Sequence, residues 1–267
     1  PMTDIHDINA ALSETSDALS RVYAKGAVSF GGVHDVGASV KRLEIGSSLN
    51  TVELLHISSL LTAAARVKNY YEDTTDSLTG YFHALEPLTP LNTEIKRCIL
   101  SEDEISDDAS ANLRSIRRQK VLAAERIHTE LNKMLNSSSV RNCLQDFVIT
   151  SRSGRYCLPV KAEYKSQVPG MVHDQSATGS TLFIEPAAVV KLNNDIRELE
   201  LKEQAEIEAI LAELSAKASE FTDELLTDFQ VLTTLDFIFA KAILAKEMNA
   251  VRPVFNDQRR ISIKEGR

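Results

Sequence analysis

Residues 147–186 read FVITSRSGRYCLPVKAEYKSQVPGMVHDQSATGSTLFIEP, a stretch rich in β-forming residues and glycine between two long segments with helical periodicity. The predicted order is a strand at 147–150, a turn at 151–154, a strand at 155–160, a partly helical connection at 161–168, and a hairpin over 170–184 that turns at 177–180. We expect an apolar core of Val148, Leu158, Val172 and Phe183. The stretch therefore predicts a compact four-stranded β module.

Helical patterns flank this module on both sides. Before it, residues 113–135 combine one apolar stripe with arginines and lysines, and after it apolar residues recur near a seven-residue period as far as Leu235, with glutamates outside the stripe. Such patterns are typical of paired amphipathic helices. We predict an antiparallel coiled-coil lever with a basic outgoing and an acidic returning helix and with the module at its tip. The charges by themselves are typical of the solvated flanks of a coiled coil.

The remaining residues predict a helical core. Amphipathic or capped segments predict helices at 4–25, 36–43, about 50–71, 78–85 and 92–99, with Gly26 ending the first and Pro87 and Pro90 separating the last two. The second arm has no strong breaker and continues through Phe237, Phe239 and Leu244, whose all-round apolar character predicts burial. The fold class is mainly α with a small β insertion: helical core, long antiparallel coiled-coil lever and four-stranded β clamp.

Composition limits the possible functions. Of 267 residues 43% are hydrophobic and 6% aromatic, with no tryptophan, which favours helix packing, and the net charge of −8 restricts any nucleic-acid contact to a local patch. Cys98, Cys143 and Cys157 are odd in number and far apart, so we expect reduced, buried thiols rather than disulfides or a zinc site. Neither a signal peptide nor a membrane span is present in the sequence, which predicts a cytoplasmic location. The chain begins at Pro1 and ends at Arg267, just after a strand-like segment at 260–264. We interpret both ends as cut ends of a longer polypeptide.

Several strings within and around the module carry a family resemblance. They are GRY at 154–156, LPVK at 158–161, VPG at 168–170, HDQS at 173–176, TLFIEP at 181–186 and LNN at 192–194, with further agreement at 7–19, 31–32, 44–46, Leu49 and 235–242. Together they make the chain similar to the MutS superfamily. The resemblance is closest to the bacterial MutS-two branch, which lacks the mismatch-reading domain.

The resemblance implies the core, lever and clamp region of a larger homodimeric ATPase that carries a C-terminal nuclease domain. The implied organisation is core at 1–104, lever helix at 105–146, clamp at 147–187, lever helix at 188–234, core at 235–253 and the start of a truncated ATPase domain at 254–267. ATP and Mg would belong to the parent protein, because this chain has no G-x-x-x-x-G-K-[ST] motif. We therefore expect no cofactor, no metal, no catalytic residue and no mismatch wedge here.

Candidate nucleic-acid contacts lie in the clamp. Cations that can neutralise phosphates without reading bases are Arg152, Arg155, Lys161 and Lys165, and small donors in the second turn are Gln175, Ser176 and Thr178. Alternatively, Arg155 and Lys161 form ion pairs with Glu163, Asp174 or Glu185. Residues 147–185 hold four Lys or Arg against three Asp or Glu, so the region is only mildly basic.

Three functions remain open. The first is a sequence-independent clamp on duplex or branched DNA in recombination control or repair, closed by nucleotide-driven lever motion, or on ribosomal RNA if the parent acts on stalled ribosomes. The second is a purely structural lever and dimerisation module. The third, a hydrolase using His173 and Asp174, is the weakest, because adjacent strand residues point to opposite faces. We expect His173 to fix the second hairpin.

Overall fold

The computed structural model describes residues 2–71, 75–256, 258 and 260–263, and the chain divides into two compact units. The first unit comprises Pro1–Glu104 and Leu211–Arg267, and the second comprises Ile105–Ile210. Most of the described residues are helical and the strands form small antiparallel sheets. The mainly α class with a β insertion is confirmed at this level, whereas the coiled-coil lever and the clamp remain predictions.

Helices dominate the first unit. They are α1 (Ile5–Lys25), α2 (Gly37–Glu44), α3 (Thr51–Tyr70), α4 (Thr79–Ala84) and α5 (Thr89–Cys98), followed by the short strands β1 (Ile99–Ser101) and β2 (Glu104–Ile105). The chain returns to this unit at Leu211 and ends its regular structure in α9 (Thr222–Glu247). Helix α3 lies at the centre, where it packs against α5 and α9.

Local signals explain the ends of the helices. The carboxylate of Asp4 accepts hydrogen bonds from the amides of His6 and Asp7 and starts α1, which ends at Gly26 with φ of 82°. Asn50 and Glu53 form a reciprocal capping box at the start of α3. Helix α5 begins three residues before the predicted start, because a proline in the first helical turn removes only an amide that lacks a helical partner anyway.

The prediction of an unbroken second arm is wrong. Helix α8 (Val190–Ser219) ends before α9 begins, and Phe221 between them has φ of −129°, outside the helical range. The hydroxyl of Ser219 donates to the carbonyl of Ala216 at 2.7 Å. Such a bond takes a carbonyl near the helix end and favours termination. The carboxylates of Asp223 and Glu224 then lie in the first turn of α9, where negative charge stabilises a helix start.

The predicted burial of the α9 residues is also partly wrong. Phe239 is buried, but Phe237 is 66% exposed and Leu244 is 55% exposed. The inward face of α9 carries Leu232, Leu235 and Phe239, and a residue two positions away on a helix points to the opposite side. The apolar run is thus split between two faces of the helix.

The second unit combines α-helices with a four-stranded sheet. Its elements are α6 (Ala111–Asn136), α7 (Ser138–Arg141), β3 (Thr150–Arg152), β4 (Arg155–Lys161), β5 (Gly170–Gln175), β6 (Thr181–Pro186) and the part of α8 up to Ile210. The antiparallel sheet has the order β3-β4-β6-β5. A 3-10 helix at Ala162–Gln167 connects β4 to β5, as the sequence predicts. Helix α6 is shorter than the predicted 105–146.

The first strand of the module lies later than predicted. Leu144 bridges Val160 and Thr150 pairs with Cys157, so five residues (145–149) stand opposite two (158–159). The surplus residues must leave the ladder as an irregular bulge. Residues 147–149 therefore form no strand, and Phe147 and Val148 are exposed.

The core of the second unit differs from the predicted set in the same region. Leu158 is fully buried, but Val148 and Val172 are exposed and Phe183 is only half-buried. The apolar residues that do fill the core come from the sheet, from α6 and from the start of α8, and include Val160, Ile184, Ile127, Leu131 and Ile196. Val172 is exposed because β5 is an edge strand with a register shift between Val172 and Asp174.

Helices α6 and α8 run antiparallel within the second unit and meet through paired charges. Both oxygens of Glu203 accept hydrogen bonds, from Arg117 at 2.8 Å and from Lys120 at 2.5 Å. One helical turn further along α8, Glu206 accepts from Ser110 at 2.7 Å and also from Asn112. Two ion pairs and two neutral hydrogen bonds thus link facing positions of α6 and α8.

The three cysteines are free and buried, as expected. Burial raises the pKa of the Cys157 thiol to about 11 and also raises the pKa of Cys98. A thiol that stays protonated at neutral pH is a poor nucleophile. Cys157 and Cys98 therefore act as small apolar residues.

The end of the chain contains no strand among its described residues. The predicted strand-like segment at 260–264 is irregular from Arg260 to Ile263, and Lys264 lies outside the described residues. Part of the predicted ATPase start, namely 257, 259 and 264–267, lies outside them as well. No helix in the described part of the chain has the length and apolar character needed to cross a membrane.

Gly170 is expected to tolerate no side chain. A Cβ atom there would lie 2.1 Å from the backbone oxygen of Glu185 and 2.8 Å from Cγ2 of Ile184. Gly170→Ala should therefore force β5 away from β6 and lower the free energy of unfolding by about 2 kcal/mol, measured by urea denaturation. Gly80→Ala, at a helical glycine with open space around it, is the matched control. Equal stability of the two variants would contradict the close approach.

Candidate nucleic-acid interface

A buried carboxylate organises one face of the four-stranded sheet. The side chain of Glu185 on β6 is fully buried and accepts a hydrogen bond from Arg155 at 2.6 Å and from Asn193 at 2.8 Å. Nε2 of His173 lies 2.6 Å from its second oxygen. Glu185 therefore joins β4, β5, β6 and the start of α8 at one point.

Asn193 and Asn194 extend this network. The amide side chain of Asn193 accepts from the backbone amide of Tyr156 at 3.1 Å and donates to its carbonyl at 3.3 Å. Asn194 accepts a further bond from Arg155. Helix α8 is thus tied to β4 by side chain–backbone bonds as well as through Glu185.

The donors around Glu185 keep it ionised. Burial by itself raises the pKa of a carboxyl group, but the hydrogen bonds from His173, Arg155 and Asn193 outweigh it and hold the pKa of Glu185 below its ordinary value. A buried carboxylate with three donors is satisfied and costly to disturb. The guanidinium of Arg155 therefore has a structural partner, which is one of the two alternatives that the sequence leaves open.

Arg152 has weaker partners on the same sheet. Its guanidinium lies 3.9 Å from the ring centre of Phe183 and 3.3 Å from the carboxylate of Asp174. Both ionic side chains are more than a third exposed, so the pair contributes little to stability. Phe183 and Glu185, two positions apart on β6, point to the same face, so both arginines lie on that face.

Lys161 and Lys165 differ from the two arginines. Lys161, at the far end of β4 from Arg155, has its ammonium group 5.8 Å from the ring of Tyr164 and 3.5 Å from the carbonyl of Asn142. Lys165 is exposed on the 3-10 helix that follows. Within the described ranges of the chain, neither lysine forms an ion pair with a carboxylate. Their charge is therefore not neutralised by a carboxylate among the residues that the structure describes.

Hydrogen bonds within the turn between β5 and β6, the second turn of the module, hold its shape. Ser176 donates its amide to the carbonyl of Thr181 at 2.9 Å and accepts the amide of Thr181 on its hydroxyl at 3.1 Å. The hydroxyls of Thr178 and Ser180 lie 2.8 Å apart, and Gly179 has φ of 71°. Gln175 and Thr178 are exposed. The turn presents its small polar groups on a preformed loop.

His173 and Asp174 have separate partners. His173 contacts Glu185, whereas Asp174 contacts Arg152 and the backbone amide of Gln175. No hydrogen bond between the two side chains is present among the described residues. The contact with Glu185 joins His173 of β5 to β6, which is the structural role expected for it.

The sequence does not predict the network of Glu185 with Asn193 and Asn194. Glu185 is expected only as a possible partner of Arg155, and the two asparagines stand only as part of the LNN string at 192–194. The sequence does contain a sign of this network, because Glu185 is an acidic residue directly before Pro186 in a mostly apolar strand. A charged residue in such a position needs buried partners.

Known proteins match the chain over its whole length. The chain is 66% identical to a protein named Endonuclease MutS2 from Lachnospira eligens, 55% identical to one from Agathobacter rectalis and 44% identical to one from Acetivibrio thermocellus, and each match covers 100% of the chain. The chain belongs to the MutS2 family. Each match spans 34% of the relative, so the chain covers about a third of the length of these curated relatives. No family model matches the chain.

Proposed function

We propose that the chain is a nucleic-acid-binding part of a MutS-type protein of the repair or recombination class, and that its second unit makes the contact. The observation that carries the proposal is the pair Lys161 and Lys165, whose ammonium groups have no carboxylate partner among the described residues. Lys165 is exposed and Lys161 is half-buried, and cations without a carboxylate partner can neutralise phosphates without reading bases. The binding would be independent of sequence.

The network around Glu185 supports this role by making the sheet rigid. It connects three strands and the start of α8 through buried, charge-assisted hydrogen bonds. A rigid sheet holds Lys161 in place at the end of β4, so that fewer side-chain degrees of freedom are lost on binding. Arg155 would act in the scaffold rather than on phosphate.

Arg152 would act as an exchangeable contact. Its pair with Asp174 is exposed and contributes little, and the aromatic face of Phe183 holds the guanidinium in position. A phosphate can therefore replace Asp174 without loss of a buried partner. The second turn, with Gln175, Ser176 and Thr178, would add neutral donors beside the cations.

We also propose that motion of the helices closes a clamp around the nucleic acid. The relatives carry the name Endonuclease MutS2, and we propose that the whole protein has nuclease activity and that ATP and Mg drive the helices of the second unit as a lever in a dimer. Sites for ATP and Mg would lie in the remainder of the whole protein. Residues of this chain would transmit the motion and contact the nucleic acid.

Reversal of the two free lysines tests the contact. The chain should bind a fluorescent DNA duplex weakly, and Lys161→Glu/Lys165→Glu should lower the affinity about tenfold or more and reduce the slope of log K against log salt by about 2, because each lost phosphate contact removes about 0.9. Fluorescence anisotropy over a salt series measures both quantities.

The matched control is Lys41→Glu/Lys246→Glu, which changes the net charge equally on the first unit. Unchanged binding by the Lys161/Lys165 variant, or equal weakening by both variants, would reject the contact and favour a purely structural module, which the internal pairing of Arg155 with Glu185 supports. In the whole protein, the same variant tested on branched DNA and on ribosomes would separate these two targets.

A further inference from the structure

A second cationic region lies in the first unit and has no part in the function proposed above. A cavity of about 530 Å³ opens there, lined by the loop at Gly31 and Gly32, by one face of α3 and by the end of α5. Arg66 and Lys96 line it, and no carboxylate is among its described lining residues. Neither cation forms an ion pair with any residue that the structure describes.

A buried hydrogen-bond chain positions Lys96. Ser58 donates to the side-chain oxygen of Asn92 at 2.7 Å, and Asn92 donates to the hydroxyl oxygen of Thr62 at 3.1 Å. The ammonium group of Lys96 donates to the same oxygen at 2.8 Å. Ser58 and Asn92 are buried, so the ammonium is attached to a fixed network and two of its three donors remain available.

Arg66 is fixed by the loop that precedes α2. Its Nε donates to the carbonyl of Ser29 at 2.8 Å and its Nη2 donates to the carbonyl of Gly31 at 2.7 Å. These bonds occupy two of the five guanidinium donors. The remaining donors stay on a guanidinium whose orientation is set by the loop.

Arg66 and Lys96 line the same cavity. Thr62, which accepts a hydrogen bond from Lys96, lies four residues before Arg66 on α3, so the two residues lie on the same face of the helix. An anion in the cavity would be attracted by both charges. The hydroxyl of Ser59 also lines the cavity, and the two glycines allow close approach to the backbone.

We propose that this cavity binds the phosphate group of a small phosphorylated molecule. Arg66 and Lys96 would hold the phosphate with charge-assisted hydrogen bonds. The volume lies within the range of small-molecule sites and exceeds the space that a phosphate alone needs. Leu55, Ile99 and Leu100 form the apolar part of the lining, where the uncharged part of the ligand would lie.

Isothermal titration calorimetry of the 267-residue chain with inorganic phosphate, adenosine monophosphate, adenosine and a single-stranded oligonucleotide tests the proposal. Inorganic phosphate should bind, adenosine monophosphate should bind more tightly, and adenosine should not bind. Arg66→Gln/Lys96→Gln should weaken binding of adenosine monophosphate about tenfold or more, because two charge-assisted contacts are lost. Lys96→Gln alone, which leaves the bonds of Arg66 to the loop intact, should weaken it measurably without loss of folding.

The control is Lys41→Gln/Arg252→Gln, which removes one lysine and one arginine that also bonds a backbone carbonyl, that of Asn9. Binding by this control should match the unchanged chain. The proposal fails if phosphate and adenosine monophosphate give no heat at millimolar concentration, or if the control loses as much affinity as the cavity variants. Tighter binding of the oligonucleotide than of adenosine monophosphate at this cavity would also overturn it, since the phosphate would then come from a nucleic-acid backbone.

Discussion

Glu185→Ala is expected to lower the free energy of unfolding of the second unit by about 3–5 kcal/mol, the usual loss when one partner of a buried ionic network is removed. The substitution leaves the buried amide of Asn193 and the half-buried Arg155 and His173 without their shared acceptor. Hydrogen exchange of β4 and β6 amides measures the loss in this unit alone.

The matched control for this prediction is Glu163→Ala, which removes an exposed carboxylate from the same unit. It should change stability by less than about 0.5 kcal/mol. Because the pKa of Glu185 is lowered in the folded protein, its stabilising contribution is present above its unfolded pKa and is lost as the pH falls through the folded pKa. A Glu185→Ala variant with exchange rates like those of the control would show that the network does not hold the sheet together.

Asp228→Asn is expected to stabilise the first unit at pH 8 by up to about 3 kcal/mol. Asp228 on α9 is fully buried, and its Oδ1 accepts the backbone amide of Glu86 at 2.8 Å. Its Oδ2 has no hydrogen-bond partner among the described residues. Burial raises the pKa of Asp228 from 3.8 to about 7; the backbone hydrogen bond from Glu86 and the charge of Lys68 oppose the rise, and the charges of Glu86 and Glu224 add to it.

The sign of the pH dependence follows from this shift. Between about pH 4 and pH 7 the folded protein holds a proton that the unfolded chain releases, so stability falls as the pH rises through this window. Asparagine removes this slope and keeps an oxygen for the amide of Glu86. The two proteins should therefore have similar stability near pH 4 and diverge toward pH 8.

Urea denaturation followed by circular dichroism at several pH values provides the measurement for Asp228. Asp236→Asn is the control, because Asp236 is an exposed carboxylate on the same helix, and its stability curve should run parallel to that of the unchanged protein. A variant at Asp228 whose stability keeps the original pH slope, or falls at pH 8, would show that the buried carboxyl is not the source of the slope.

The sequence predicts those parts of the fold that depend on neighbouring residues. Asp4 and Gly26 bound α1, and Asn50 with Glu53 starts α3, because capping bonds reach only a few positions along the chain. The second hairpin is predictable for the same reason, since its turn ends at Gly179 and Ser180 between two β-forming runs.

The features that the sequence did not predict are the bulge at 145–149, the end of α8 and the buried face of α9. The bulge at 145–149 arises because Leu144 pairs with Val160 while Thr150 pairs with Cys157, and no residue within the bulge indicates this register. The end of α8 before Phe221 has local causes, the bond of Ser219 to Ala216 and the acidic first turn of α9, but no glycine or proline marks it in the sequence. Burial of α9 residues depended on which face meets α1 and α3, and an apolar run on all sides does not specify that face.

In the candidate site, too, the sequence predicts local features but not long-range partners. The charged residues of the β module are visible in the sequence, but their partners are not, because Arg155 reaches Glu185 from 30 positions away and Arg152 reaches Asp174 across the sheet. Only the folded arrangement separates the internally paired arginines from Lys161 and Lys165. The cavity between Arg66 and Lys96 also depends on contacts between separate elements, so its residues show no motif.

Lysine reactivity footprinting is the measurement that tests the proposed contact most directly. The chain would be acetylated with and without a saturating DNA duplex, and modification at each lysine would be quantified by mass spectrometry. We expect DNA to protect Lys161 and Lys165, while Lys41 and Lys246 stay equally reactive in both samples. Full reactivity of Lys161 and Lys165 in the DNA-bound sample would contradict it.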